Sequence, residues 1–217
     1  MDATPLHAAT DPRGEHLPDI VCFSHRSWTP DFQRAHRLLG RFAQERRVFF
    51  IEPPVVGGSA AKLGVEHSPE GVWVVHMRLP EGLGPQAQQA LQRELVEGVL
   101  VERRVHRCVL WYYTPLALPY TRQLRPRLVV YDCTDELAAL SGPALGRLEA
   151  ELLGRADLVL TASHALHQAR RERHRNVHPV PDGTDDADSW EGGWARARLL
   201  LERATAAPLA TPRSWVG

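Results

Sequence analysis

This sequence predicts a doubly wound α/β fold with a mostly parallel sheet, and three observations carry that expectation. Seven short apolar runs are spaced along the chain, separated by stretches of helical periodicity. Most of the runs are continuously apolar rather than alternating, the pattern of strands covered on both faces. Strand–helix–strand alternation implies right-handed crossovers that wind helices onto the sheet. At 217 residues the chain can house one sizeable domain, at the usual ~100–200 residues each.

The first segment, MDATPLHAATDPRGEHLP (residues 1–18), has no apolar core. It is not a signal peptide and reads as a disordered leader. DIVCFS (Asp19–Ser24) is the first strand. Phe32–Gln44 follows as a helix, with Phe32, Ala35, Leu38, Leu39 and Phe42 on one stripe. VFFIE (Val48–Glu52) is the second strand. Pro53–Val72 reads as a loop, with paired prolines and Gly57-Gly58. VWVVHM (Val72–Met77) is the third strand. Gln86–Val101 is a helix with Ala87, Leu91, Leu95 and Val99 facing inward. CVLWYY (Cys108–Tyr113) and LVVYDC (Leu128–Cys133) are strands. Ala144–Arg155 is a helix on Leu145, Leu148 and Leu152. DLVLTAS (Asp157–Ser163), the short basic helix Ala165–Arg173 and the weaker strand NVHPVP (Asn176–Pro181) close the pattern. The expected strand order, numbering the runs in sequence, is 3-2-1-4-5-6-7. Beyond an acidic, turn-rich stretch, Trp194–Ala207 is helical. Trp194, Leu199 and Leu200 give it an apolar face that packs back on the domain.

Composition excludes several classes. The formal net charge is zero and like charges form no long block, which argues against a nucleic-acid arm or an acidic tail. Lys62 is the only lysine; the other cations are arginines, a coding bias rather than a binding signal. Cys22, Cys108 and Cys133 each sit in an apolar run and read as buried, reduced thiols. No cysteine or histidine set has metal-ligand spacing, so neither a metal nor a cofactor is expected. No apolar run approaches the ~20 residues of a membrane span. The expected location is cytoplasmic, at most peripheral to the inner face of a membrane.

In an open α/β sheet, ligands bind beyond the carboxyl ends of the strands. Those ends carry Ser24–Trp28, Glu52, Tyr112–Pro115, Asp132 with Asp135 and Glu136, and Ser163-His164. Each admits two readings. Asp135 caps the next helix or acts as a general base; Asp132 holds turn amides or does the same. Tyr112 lies on the face opposite Trp111 and Tyr113, ending a core strand or stacking on a sugar. Arg26 and Arg34 are solvated or clamp a phosphate. No GxGxxG, Walker A loop or GxSxG elbow is present.

Three stretches together resemble a known family. They are DIVCFSHRSWTPDFQRAHRLLGRFAQERRVFFIEPP, VLWYYTPLALPYTRQLRPRLVVYDCTDEL and EAELLGRADLVLTASHALHQARRERHRNVHPVPDGTD. They resemble the N-terminal half of bacterial GT-B glycosyltransferases of family-4-like type. The group is that of teichuronic acid and other cell-surface polysaccharide transferases. The resemblance implies a Rossmann-like acceptor domain over 19–185, after the leader 1–18. VPDGTD resembles the passage into a second, donor-binding domain. Residues 186–217 are similar to the family's closing helical segment, as if that second domain were deleted. It implies sugar transfer from a nucleotide-sugar donor to a saccharide or lipid-linked acceptor, with no activity in isolation. A partner chain would then supply the donor half. Asp135, then Asp132, are the implied catalytic bases. Arg26, Gln33, Arg34, Tyr112 and Ser163 are the implied acceptor contacts. The rival expectation is a non-catalytic saccharide- or protein-binding domain derived from such an enzyme.

Overall fold

A computed structural model describes residues 16–134, 142–181 and 187–206. The fold is α/β and Rossmann-like; the described residues form a mostly parallel sheet of nine strands and six α-helices. Along the sheet the order β5-β2-β1-β6-β7-β8-β9 matches the order expected from the apolar runs. The chain divides into two compact units at Val109–Leu110.

In the first unit, β1 (Asp19–Phe23) is buried along its whole length. It runs parallel to β2 (Val48–Ile51), which runs parallel to β5 (Trp73–Leu79). Helix α1 (Gln33–Phe42) connects β1 to β2 and buries all five residues of the expected stripe. At the amino end of the sheet Arg47 grips Asp19 with two nitrogens and donates to the Arg103 carbonyl at 2.7 Å.

The segment expected to be a loop, Pro53–Val72, instead holds two strands, β3 (Val55–Val56) and β4 (Lys62–His67). β4 pairs antiparallel with β5, and β3 pairs parallel with it. Arg78 is the register partner of both Lys62 and Val55. The two strands therefore lie on opposite flanks of β5, and β3 continues the line of β2 past Pro53-Pro54. Prolines break the run because they donate no ladder hydrogen bond.

Helix α2 (Pro85–Glu102) starts with an extended Gly84 and a proline in its first turn, where a missing amide costs nothing. Its buried face is Gln92, Val96 and Val99, with Ala87 exposed, so the expected stripe is rotated. Gln92 tolerates burial because its amide donates to the Gln88 carbonyl at 3.1 Å.

Strand β6 (Cys108–Tyr112) leads into the second unit. A 3₁₀ turn (Pro115–Ala117), capped by the Thr114 hydroxyl, runs into the short α3 (Leu118–Thr121). β7 (Leu128–Cys133) is buried throughout and pairs parallel with β8 (Leu158–Thr161), which pairs parallel with β9 (Val177–Pro179). Helices α4 (Pro143–Arg155) and α5 (His164–Arg171) fill the crossovers. Leu152 and Leu153 are the buried residues of α4, with Leu145 and Leu148 half-buried.

Helix α6 (Ala187–Ala206) packs on β8, as expected of the closing helix. The residues that bury it are Ala197 and Leu201, both fully enclosed, whereas Leu199 is exposed. The expected face holds in part: Trp194 and Leu200 are half-buried, while Ala197 and Leu201, one turn apart, form the seam itself. Its last turn is tied down by Arg127, whose Nε and guanidinium nitrogen donate to the Thr205 carbonyl at 3.2 and 2.7 Å.

Candidate functional site

In the first unit the loop after β1 folds back over the sheet end. The Arg26 amide donates to the Ser24 hydroxyl at 2.9 Å. The Arg26 guanidinium pairs with Asp31 and lies 5.1 Å from the Phe32 ring centre. Trp28 stacks on His36 of α1, with ring centres 4.0 Å apart and planes 20° off parallel. Phe50 of β2 meets the same indole edge-on at 4.9 Å. Gln33 opens α1 and is exposed. Arg34 is buried, which corrects the reading of it as a solvated arginine.

Glu52, at the carboxyl end of β2, uses both oxygens. One accepts from the Trp28 amide at 2.7 Å; the other meets His76 Nδ1 at 2.8 Å. His76 Nε2 faces Glu66 of β4 at 3.6 Å. The imidazole is therefore set between two carboxylates from different strands. His36 in turn meets Glu70 at 3.3 Å. Burial alone would raise the Glu70 carboxyl. The Ser68 hydroxyl, its own amide and His36 outweigh that and hold it below its usual value.

Glu52 was placed on this rim from sequence; His36, His76, Glu66 and Glu70 were not singled out. His76 gave one signal: a polar residue inside the apolar run VWVVHM. Its partners arrive only through strand pairing.

In the second unit, Trp111 and Tyr113 share a face, with ring centres 6.5 Å apart, as alternation implied. Tyr112 is buried, and its hydroxyl lies 2.8 Å from that of Thr121. Asp132 is fully buried on β7. Register places it beside Leu160 and His178, in the row next to Tyr131, Val159 and Val177. Neighbouring rows point to opposite faces. Tyr131 donates to Glu149 of α4 at 2.9 Å, so Asp132 points away from α4. Ser163 caps α5, its hydroxyl accepting from the Leu166 amide at 3.3 Å. Asp135 and Glu136 lie outside the described residues.

Glu149 also receives Arg170 at 2.6 Å, with Arg173 at 3.8 Å. Tyr131, Glu149 and Arg170 thus join β7, α4 and α5 in one polar cluster. Cys22, Cys108 and Cys133 are buried and stand as thiols rather than disulfides. Burial pushes the Cys108 and Cys133 thiols up to about 12, so neither is a nucleophile near neutral pH. Among the described residues no helix is long and apolar enough to cross a membrane.

No protein-family model matches the sequence, and no curated protein matches it. Solved structures do match. One is described as "Trehalose-6-phosphate from E. coli bound with UDP-2-fluoro glucose". It aligns with a TM-score of 0.51 at 14% identity, over 76% of this chain and 49% of that one. Two others are sucrose-phosphate synthase chains from Thermosynechococcus elongatus. The first aligns with a TM-score of 0.53 at 15% identity, over 87% of this chain and 99% of that one. The second aligns with a TM-score of 0.52 at 16% identity, over 84% of this chain and 52% of that one. The chain spans about half the length of the first of these, and about half of the longer sucrose-phosphate synthase chain. It has the Rossmann-like α/β fold found in these GT-B glycosyltransferases.

Proposed function

We propose that residues 19–185 are the acceptor-binding half of a nucleotide-sugar-dependent glycosyltransferase, of the family-4-like group that builds cell-surface polysaccharides. The observation that carries this reading is the alignment of 87% of the chain with 99% of one sucrose-phosphate synthase chain. That alignment joins a rim carrying an aromatic, an arginine and a carboxylate–imidazole pair at the strand ends.

The reaction would be sugar transfer to a hydroxyl of a saccharide or lipid-linked acceptor at the cytoplasmic face. The acceptor oxygen bonds to the anomeric carbon, the bond to the diphosphate breaks, and the hydroxyl proton goes to a carboxylate. Asp135 is the proposed base. Asp132 is the weaker candidate because a fully enclosed carboxylate has no path to an acceptor. Arg26, Gln33, Arg34, Tyr112 and Ser163 are the residues proposed from sequence for acceptor contacts. Gln33 and Arg26 have the exposure that role needs; Arg34 and Tyr112 are enclosed like Asp132 and are the weaker candidates. The departing diphosphate needs donors and positive charge, often worth several kcal/mol of barrier (~2.7–4 for one lost donor). A donor-binding domain would supply them, in the same protein or from a partner chain.

The test is calorimetric titration of the 217-residue chain with UDP- and GDP-sugars and with oligosaccharides, beside a transfer assay. The expected result is saccharide binding without turnover. Robust turnover by this chain, abolished by Asp135→Asn, would overturn its proposed inactivity. Absence of any saccharide binding would overturn the acceptor role.

A further inference from the structure

The β4–β5 hairpin places two cations directly opposite each other. Lys62 and Arg78 are register partners in an antiparallel pair, so their side chains leave the same face of the sheet. Both are exposed. Neither side chain has an ion pair or hydrogen bond among the described residues. Like charges in this position repel each other.

Two carboxylates on that face lie toward His76 rather than toward the cations. The next pair along the hairpin is Gly64 opposite His76. Glu52 and Glu66 both turn to that imidazole, at 2.8 and 3.6 Å. Gly64 adds no side chain, and a methyl group built there would meet nothing closer than 3.9 Å from His76. The surface beside the two cations is therefore open. On the other flank of Arg78, Val55 is 60% exposed. Arg78 lies at the carboxyl end of a parallel strand, one side-chain row beyond the Glu52–His76 pair, where α/β sheets take ligands.

We propose that Lys62 and Arg78 form an anion-binding site on this rim, which takes the phosphate or carboxylate of an acidic saccharide while Val55 and the open surface at Gly64 accommodate its ring. The anion removes the repulsion between the two cations and gains charge-assisted hydrogen bonds from both. Arginine offers a planar fork and lysine a mobile point charge, a pair suited to a tetrahedral or trigonal oxyanion. The saccharide part deepens the acceptor reading above; the anion part stands without it.

The experiment uses the full chain, its Lys62→Gln and Arg78→Gln variants, and the double variant. Inorganic phosphate, glucose 6-phosphate, glucuronate and glucose are titrated by calorimetry and by melting temperature. Wild type should bind glucose 6-phosphate or glucuronate, and whichever binds tighter distinguishes a phosphate from a carboxylate ligand. The double variant should lose about tenfold or more in affinity, the scale of one charge-assisted contact. Without ligand, Lys62→Gln should raise the melting temperature by about 1–3 °C by removing the repulsion. Three results would overturn the site: equal binding by wild type and double variant, glucose binding as tight as either acid, or a lower melting temperature for Lys62→Gln. Phosphate binding with neither acidic sugar would overturn the saccharide class, and leaves transfer chemistry to its own assay.

Discussion

Replacing Glu149 by alanine should be among the most damaging single changes in the second unit. Its carboxylate accepts from the Tyr131 hydroxyl at 2.9 Å and from Arg170 at 2.6 Å. Glu149 and Arg170 side chains are 17% and 13% exposed, and Tyr131 is enclosed at 1%. Removing the carboxylate leaves a buried hydroxyl without its acceptor, which costs about 1–3 kcal/mol. It also strips Arg170 of its counter-charge; breaking a buried pair from one side costs about 3–5 kcal/mol. The two costs share atoms and do not add, and residual solvent access discounts the second. The net expectation is about 3–4 kcal/mol for Glu149→Ala. Glu149→Gln keeps an acceptor for Tyr131 and should lose only about 1–2 kcal/mol. Urea unfolding followed by tyrosine and tryptophan fluorescence measures both. A double-mutant cycle with Tyr131→Phe should then show coupling of about 1 kcal/mol. A loss below about 1 kcal/mol for Glu149→Ala, or strict additivity with Tyr131→Phe, would refute the cluster as a stabilising unit.

Deleting the residues after Asp188 should lower the melting temperature, because β8 loses the cover that Ala197 and Leu201 give it; Leu201→Ala alone should cost about 2–5 kcal/mol by calorimetry. Glu70 supports the fold in a pH-dependent way. Its carboxyl is held below the unfolded value, so its contribution is present above pH ~4.3 and fades as pH falls through the folded value. Glu70→Gln should therefore destabilise at pH 7, with the loss shrinking as the pH is lowered, read from urea midpoints across the acid range.

The buried strands were legible because a doubly covered strand writes itself as a continuous apolar run, and VCFS, VFFI and LVVY need no partner to be recognised. β4 was not legible. Only Leu63 and Val65 alternate, with Gly64 between them, and an edge strand leaves half its residues in water. Its identity comes from pairing with β5, which lies several residues further on. Helix faces were harder than helix positions. α2 begins and ends within a residue of expectation, yet buries Gln92 rather than Leu91. A side chain that satisfies its own amide within the helix can occupy an apolar seam, and hydrophobicity alone does not foresee that. The candidate site divides the same way. The rim segments Ser24–Trp28 and Glu52 do meet, at the Trp28 amide. The histidines that complete the contact come from α1 and β5, and only the fold brings them to the same glutamate and indole.

The grip of Arg127 on the carbonyl of Thr205 spans 78 residues of sequence. It has a consequence for how the second unit is made rather than for how it stands. β8 and the turns around it are synthesised well before α6, so one sheet surface waits uncovered while the rest of the unit forms. Long closures of this kind are entropically costly and form late. The interval is the chain's most exposed moment, when apolar β8 can meet another nascent chain instead of Ala197 and Leu201. Arg127 shortens it: once its guanidinium holds the last turn, the helix cannot drift off the strand it seals.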